Sequence, residues 1–236
     1  MPTSSLYTTR AVFFDLDGTL LDTAPDMVGA LNLLLKEEGI SEIDYDTARK
    51  VVSDGTKALV NLGFGVDQSE ADFTRRCQRY LALYEENVCV DTVLFDGMEE
   101  TLQFLEQNNI VWGVVTNKPA FLTNPLMKAL GLDVRAGSVV SGDSLPVCKP
   151  DPEPLFHAAN ECNVLSTESI YVGDAARDIE AGNRAGMITL LASYGYIDND
   201  QQPDTWGANG IIEQASEIMD WLSEVPALEL DMQRPN

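Results

Sequence analysis

"AVFFDLDGTLLD", residues 11–22, opens as a strand buried on both sides and then breaks off on two carboxylates. Val12, Phe13 and Phe14 leave no polar position between them, the habit of a parallel-sheet strand covered on both faces. Asp15 and Asp17 follow, one on each side of Leu16, and then Gly18 and Thr19. Residues two apart in a strand face the same side, which puts both carboxylates on one side and Leu16 on the other. The carboxyl ends of parallel strands are where ligands bind in α/β sheets. Two carboxylates held together there repel until one takes a proton or a cation comes between them. An aspartate capping the turn at "DGT" accounts for one of the pair just as simply.

Outward from this strand the chain alternates. "VWGVVTN" (111–117), "GSVVSG" (137–142), "SIYVGD" (169–174) and "MITLLAS" (187–193) read as further strands, separated by helical stretches. The pattern predicts a Rossmann-like doubly wound parallel sheet with helices on both faces. Asp151-Pro152 reads as the N-cap and first residue of one helix, and Gly186 as the stop of a helix over 175–185. Ile218, Trp221, Leu222 and Val225 predict a closing α-helix over 216–225. One region lacks strands altogether. From Ala24 to about Val93 only helical spacing appears, as in Met27, Val28, Leu31, Leu34 and Leu35, then Phe73, Cys77, Tyr80, Leu81 and Tyr84. The expected organisation is therefore an α/β core over 10–23 plus 94–227, an all-helical insertion over 24–93, and a flexible polar tail over 228–236.

Composition narrows the partners. The 236 residues carry 15 lysines and arginines against 38 acidic residues, a net charge of −23. Such a surface repels nucleic acid and anionic membranes, so neither is expected as a partner. The N-terminal "MPTSSLYTTR" has no apolar signal-peptide core, and no apolar run spans a bilayer. The four cysteines form no CxxC pair, in keeping with reduced thiols and a cytoplasmic location. Monomer and homodimer both remain open.

Three more stretches reach strand ends with chemistry attached. Thr116 and Asn117 close the second strand with a hydroxyl and an amide. Lys149 lies in "CKPDPEP" just before a helix, where its ammonium can neutralise a bound anion. Gly173-Asp174 ends a strand and leads into a helix carrying Asp178, four residues on and on a shared face. Oxygen-rich groups without a histidine or thiolate cluster suit Mg²⁺ together with a phosphate.

The set Asp15-x-Asp17-Gly18-Thr19, Thr116, Lys149 and Gly173-Asp174-x-x-x-Asp178 resembles the four motifs of the haloacid-dehalogenase superfamily, and the resemblance runs from about Val12 to Val225. The insertion resembles that family's small helical cap. "VVTNKP", "KPDPEPL", "GDAARDIEAG" and "YGYI" are similar to phosphoglycolate phosphatases and to bacterial N-acetylmuramic acid 6-phosphate phosphatases. The resemblance implies Mg²⁺-dependent hydrolysis of a small phosphorylated metabolite. Asp15 would attack phosphorus and Asp17 would carry the proton. Mg²⁺ would sit on Asp15, the Asp17 carbonyl and Asp174, with Asp178 orienting from behind. Thr116, Asn117 and Lys149 would hold the phosphoryl oxygens. Cap residues Ser53, Asp54, Gly55, Thr56 and Lys57, with Arg177, would read the leaving group. A sugar-phosphate mutase, a non-enzymatic phospho-acceptor domain and an inactive binding module are the competing readings. The first lacks an evident basic cluster in the cap. The second needs neither Asp17 nor a cap, and the third is at odds with the intact four-motif set.

Overall fold

The computed structural model describes residues 8–198 and 201–222. Strand β1 (Ala11–Phe14) is central, paired in parallel with β4 (Val111–Val115) on one side and β6 (Ser169–Gly173) on the other. The strands β5 (Ser138–Val140), β7 (Ile188–Ala192) and β8 (Gly210–Ile212) complete a six-stranded parallel sheet in the order β5-β4-β1-β6-β7-β8. β8 was not foreseen in the sequence; it is three residues long and exposes Ile211, too little pattern to stand out.

The unbroken apolar run of β1 is explained by burial on both faces. Val12 and Phe14 enter a core formed with Leu102 and Leu105 of α5 (Met98–Gln107) and Leu126 and Met127 of α6 (Ala120–Ala129). Ala11 and Phe13 enter the opposite core, against Leu155 and Ala158 of α7 (Glu153–Glu161) and Ala181 and Ala185 of α8 (Ala176–Ala185). Gly186 ends α8 in the left-handed conformation, as read. Helix α7 starts one residue later than expected: Pro152 is the cap residue, and Asp151 Oδ1 accepts the Glu153 N–H at 2.9 Å.

The closing element differs from expectation. Ala215–Trp221 is a 3₁₀ helix, not an α-helix. Ala215, Ile218 and Trp221 stand three apart, the period at which a 3₁₀ helix eclipses its side chains, and Ala215 and Ile218 are fully buried. Residues 223–225 of the expected helix, and the tail at 228–236, lie outside the described residues.

Between β2 (Leu21–Asp22) and β3 (Val93–Leu94) lie the helices α1 (Ala24–Glu37), α2 (Tyr45–Arg49), α3 (Gly55–Phe64) and α4 (Glu70–Glu86). Met27, Leu31, Leu34, Leu59, Val60, Tyr80 and Tyr84 give this insertion its own apolar core, which also takes in Leu122 and Tyr196 from outside it. The insertion leaves and rejoins the rest of the chain through one antiparallel ribbon, in which Leu21 pairs with Leu94 and Asp22 with Val93. Just beyond that ribbon the buried Asp26 carboxylate accepts the backbone N–H groups of Val90, Asp91 and Thr92 and the Thr92 hydroxyl. The two crossings are therefore fastened to each other.

Candidate active site

The sheet order brings the ends of β4, β1 and β6 together, and four segments meet there. β1 stops at Phe14, so strand alternation is not what aligns Asp15 with Asp17. A tight turn does it instead: the Gly18 N–H donates to the Leu21 carbonyl at 3.0 Å, and Leu16 stays in the core. Gly18 has φ +83°, and a Cβ there would run into the Asp174 carboxylate and the Tyr196 ring, so only glycine closes this turn. Asp15, Asp17, Thr116, Asn117, Arg177 and Ser53–Lys57 all line one cavity of about 350 Å³ between the sheet end and the insertion.

Lys149 is the electrostatic centre behind Asp15. The residue is 2% exposed, and its ammonium donates to the Val115 carbonyl and the Tyr171 hydroxyl, each at 2.8 Å. Asp15 Oδ1 and Asp178 Oδ1 also lie 2.8 Å from it, as ion contacts. Burial pushes the Asp15 carboxyl up, but the Lys149 ammonium and the Arg177 guanidinium outweigh it and hold the group below its ordinary value. Asp15 is thus ionised and buried, at the carboxyl end of the central strand. Asp174 behaves oppositely. Burial, then the charges of Asp15 and Asp178, push it up to about 7 against hydrogen bonds from the Tyr196 N–H and the Ser53 hydroxyl. Asp178 is also raised, by burial more than Lys149 lowers it.

Asp15, Asp174 and Asp178 each place one carboxylate oxygen within 4.8 Å of the others. Asp174 Oδ2 is taken by Tyr196 N and Ser53 Oγ, at 2.9 and 2.8 Å, while Asp174 Oδ1 is buried without a hydrogen-bond partner. An orphaned buried carboxylate oxygen amid two further carboxylates fits a divalent cation with oxygen preference. Asp178, read from sequence as an outer residue, stands within this cluster, and its Oδ2 accepts the Ala175 N–H at 3.0 Å.

Asn117 is used differently from expectation. Its carboxamide donates to the Lys149 carbonyl and accepts the Lys149 N–H, clamping that loop rather than presenting the whole amide to a ligand. Thr116 is buried, and its hydroxyl accepts the Lys118 N–H. The insertion closes the cavity from above. Ser53 reaches Asp174, and Arg177 donates to the Ser53 carbonyl and lies 4.0 Å from Asp54. Gly55 begins α3 at φ +75°, and Lys57 on that helix is exposed at the cavity mouth.

Several contacts around the site are not readable from sequence spacing. Lys118 Nζ donates to Asp17 Oδ1 at 2.7 Å, and Thr23 Oγ1 donates to the same oxygen at 2.6 Å. Tyr196 holds Asp174 through its backbone, accepts the Ala24 N–H and donates to Asp22 through its hydroxyl. For Lys118 the available signal was its place directly after Thr116-Asn117; for Tyr196 it was the "YGYI" stretch.

The model of the haloacid dehalogenase-like hydrolases matches residues 12–192 of this chain. The chain belongs to that family. Among curated members, an N-acetylmuramic acid 6-phosphate phosphatase of Pseudomonas putida is 40% identical over 89% of this chain and 94% of its own length. A phosphoglycolate phosphatase of Xanthomonas campestris is 41% identical over the same shares. A crystal structure of a predicted phosphoglycolate phosphatase from Haemophilus somnus superposes with a TM-score of 0.81 at 26% identity, covering 91% of this chain and 98% of that one. The likeness spans the insertion as well as the sheet. Among the described residues no helix is long and apolar enough to cross a membrane.

Proposed function

We propose that this haloacid dehalogenase-like hydrolase cleaves a small phosphomonoester through a phosphoryl group carried on Asp15. The observation that carries the reading is Asp15 itself: a buried carboxylate at a cavity floor, kept ionised by Lys149. A carboxylate held that way is a nucleophile without needing a base. Attack on phosphorus forms the Asp15–phosphoryl bond as the bond to the leaving alcohol oxygen breaks, and Asp17 gives that oxygen its proton. Asp17 then takes a proton from the water that attacks the phosphorus of the intermediate, releasing phosphate and restoring Asp15. Thr116 and Lys149 hold the phosphoryl oxygens. Asn117 keeps Lys149 in place through its loop. The cation would be Mg²⁺, held by Asp15, Asp174 and the Asp17 carbonyl with Asp178 beside them. When bound it draws charge from the phosphoryl oxygens and offsets the repulsion among these carboxylates. Ser53–Lys57 and Arg177 face the leaving group.

The first substrate to test is 2-phosphoglycolate, the compound named for the Xanthomonas relative. A second reading, N-acetylmuramate 6-phosphate, is favoured by the cavity, whose roughly 350 Å³ leave more room than a two-carbon leaving group fills. Phosphate release from both, with Mg²⁺ and with Asp15→Asn as control, tests the proposal. Turnover of either that disappears in the variant supports it. Turnover that survives Asp15→Asn removes Asp15 as nucleophile and the mechanism with it.

A further inference from the structure

We propose that Lys118 and Tyr84 are positioning residues for Asp17, and that through them helix α4 of the insertion takes part in the proton transfer; this rests on Asp17 being the general acid of the reaction above. Lys118 leaves the sheet directly after the Thr116-Asn117 pair, and its backbone is fixed. Its N–H donates to Thr116 Oγ1, and its carbonyl accepts the N–H of Gly142 at 2.9 Å. Its side chain is 4% exposed, and the ammonium divides itself between two elements. It donates to Asp17 Oδ1 at 2.7 Å, and to the Tyr84 hydroxyl at 2.8 Å. It also lies 4.5 Å from the centre of the Tyr84 ring. Met27 of α1 packs beside it, its sulfur 3.9 Å from the ammonium.

A buried lysine with one carboxylate and one phenol as partners is held in one place only while both are present. Burial, then the charge of Asp17, keeps the Tyr84 phenol well above its ordinary pKa, so the hydroxyl stays neutral and accepts from Lys118. With Thr23 donating to the same oxygen, Lys118 fixes which way the Asp17 carboxyl turns. Tyr84 belongs to α4, 34 residues before Lys118 and on the other side of the β2–β3 ribbon. The aim of Asp17 is therefore set by where the insertion lies against the sheet, and a displaced α4 leaves the carboxyl without its second anchor.

A leaving-group comparison tests this. An alkyl alkoxide needs a proton as it departs, whereas p-nitrophenolate leaves without one. Lys118→Met and Tyr84→Phe are assayed on p-nitrophenyl phosphate and on whichever of 2-phosphoglycolate and N-acetylmuramate 6-phosphate the wild type turns over faster. The expected result is a first-turnover rate and a kcat on the alkyl phosphate lower by about 10- to 100-fold in Lys118→Met and by about 3- to 10-fold in Tyr84→Phe, with KM little changed. On p-nitrophenyl phosphate the first-turnover release of p-nitrophenolate, which needs no proton, stays within about 3-fold of wild type in both variants, while the steady-state rate falls with the second step, in which Asp17 takes the proton from water. Equal losses in first-turnover rate on the two substrates, or a rise in KM alone, would overturn the proposal while leaving the phosphatase reading intact. A wild type inert on every phosphomonoester removes that reading, and the proposal with it. Tyr84→Phe deletes a single oxygen and keeps the ring, so it decides the matter by itself if Lys118→Met does not fold.

Discussion

The two aspartates of the opening motif stand two residues apart and live in different structural worlds. Asp15 is held by the sheet: its contacts are Lys149, from the loop before α7, and a backbone N–H bond to Val172 of β6. Asp17 is held across the boundary with the insertion, by Thr23 at the start of α1 and by Lys118, itself tied to Tyr84 of α4. The carboxylate proposed to make the bond thus rests at the end of the central strand, and the one proposed to carry the proton on a seam between two cores. A geometry that must not vary belongs to the sheet. A geometry that has to answer to a bound leaving group belongs where two bodies meet.

The largest effect expected from breaking the sheet side is at Asp15. Asp15→Asn retains the size of the side chain but not its nucleophilicity, and turnover should fall by at least about 10³-fold, measured as phosphate release. A residual rate within tenfold of wild type would mean the comparison has the wrong aspartate on the chemical side. Lys149→Met should come next, because it leaves Asp15 and Asp178 buried without their cation. Stability should drop by roughly 3–5 kcal/mol in urea titrations, alongside lost activity. An unchanged midpoint would show that the cluster does not depend on Lys149.

A third test uses pH. Asp174 keeps its proton up to about 7 when folded, against an ordinary 3.8, so its contribution to stability is complete below 3.8 and is lost as pH rises through about 7. The metal-free protein should therefore weaken by no more than about 1.4 kcal/mol per pH unit across that window. Asp15, whose value is lowered, works in the opposite sense, its contribution disappearing only as pH falls below 3.8. Millimolar Mg²⁺ should flatten the neutral slope. A profile already flat in EDTA counts against a strained carboxylate cluster. The smallest effect is expected at Ser53→Ala, which removes one hydrogen bond from the insertion to Asp174. Its cost, about 1 kcal/mol, should appear as weaker Mg²⁺ binding in calorimetry. No change in affinity would separate the insertion from the carboxylate cluster altogether.

What the sequence made legible divides along the same line. Asp15, Thr116 and Asp174 directly follow strand ends, Asp178 lies in the first turn of the helix after one, and Lys149 lies in a loop just before a helix, places that local pattern reaches. The doubly wound sheet was legible for a related reason: strands covered on both faces write unbroken apolar runs. The seam was not legible. Lys118 meets Asp17 across 101 positions, the Tyr196 hydroxyl meets Ala24 across 172, and Asp26 reaches Thr92 across 66. Such partners are chosen by packing between distant segments, and no spacing rule records them. The closing 3₁₀ helix reads as an α-helix because "SEIMDWL" satisfies both helical periods over one or two turns. The turn at Gly18 did what strand alternation was expected to do, so the side shared by Asp15 and Asp17 was foreseen and its cause was not.

The ribbon at the root of the insertion has a mechanical meaning. A body hung from one strand explores a cone of orientations. One hung from two strands that are hydrogen-bonded to each other, and stapled again by Asp26 a few residues further on, keeps little more than a single axis of rotation. Along such an arc Tyr84 and Ser53 cannot travel independently. A rotation about that axis would carry both the Tyr84 contact to Lys118, which holds Asp17, and the Ser53 contact to Asp174, so the ribbon ties the two halves of the site to one coordinate.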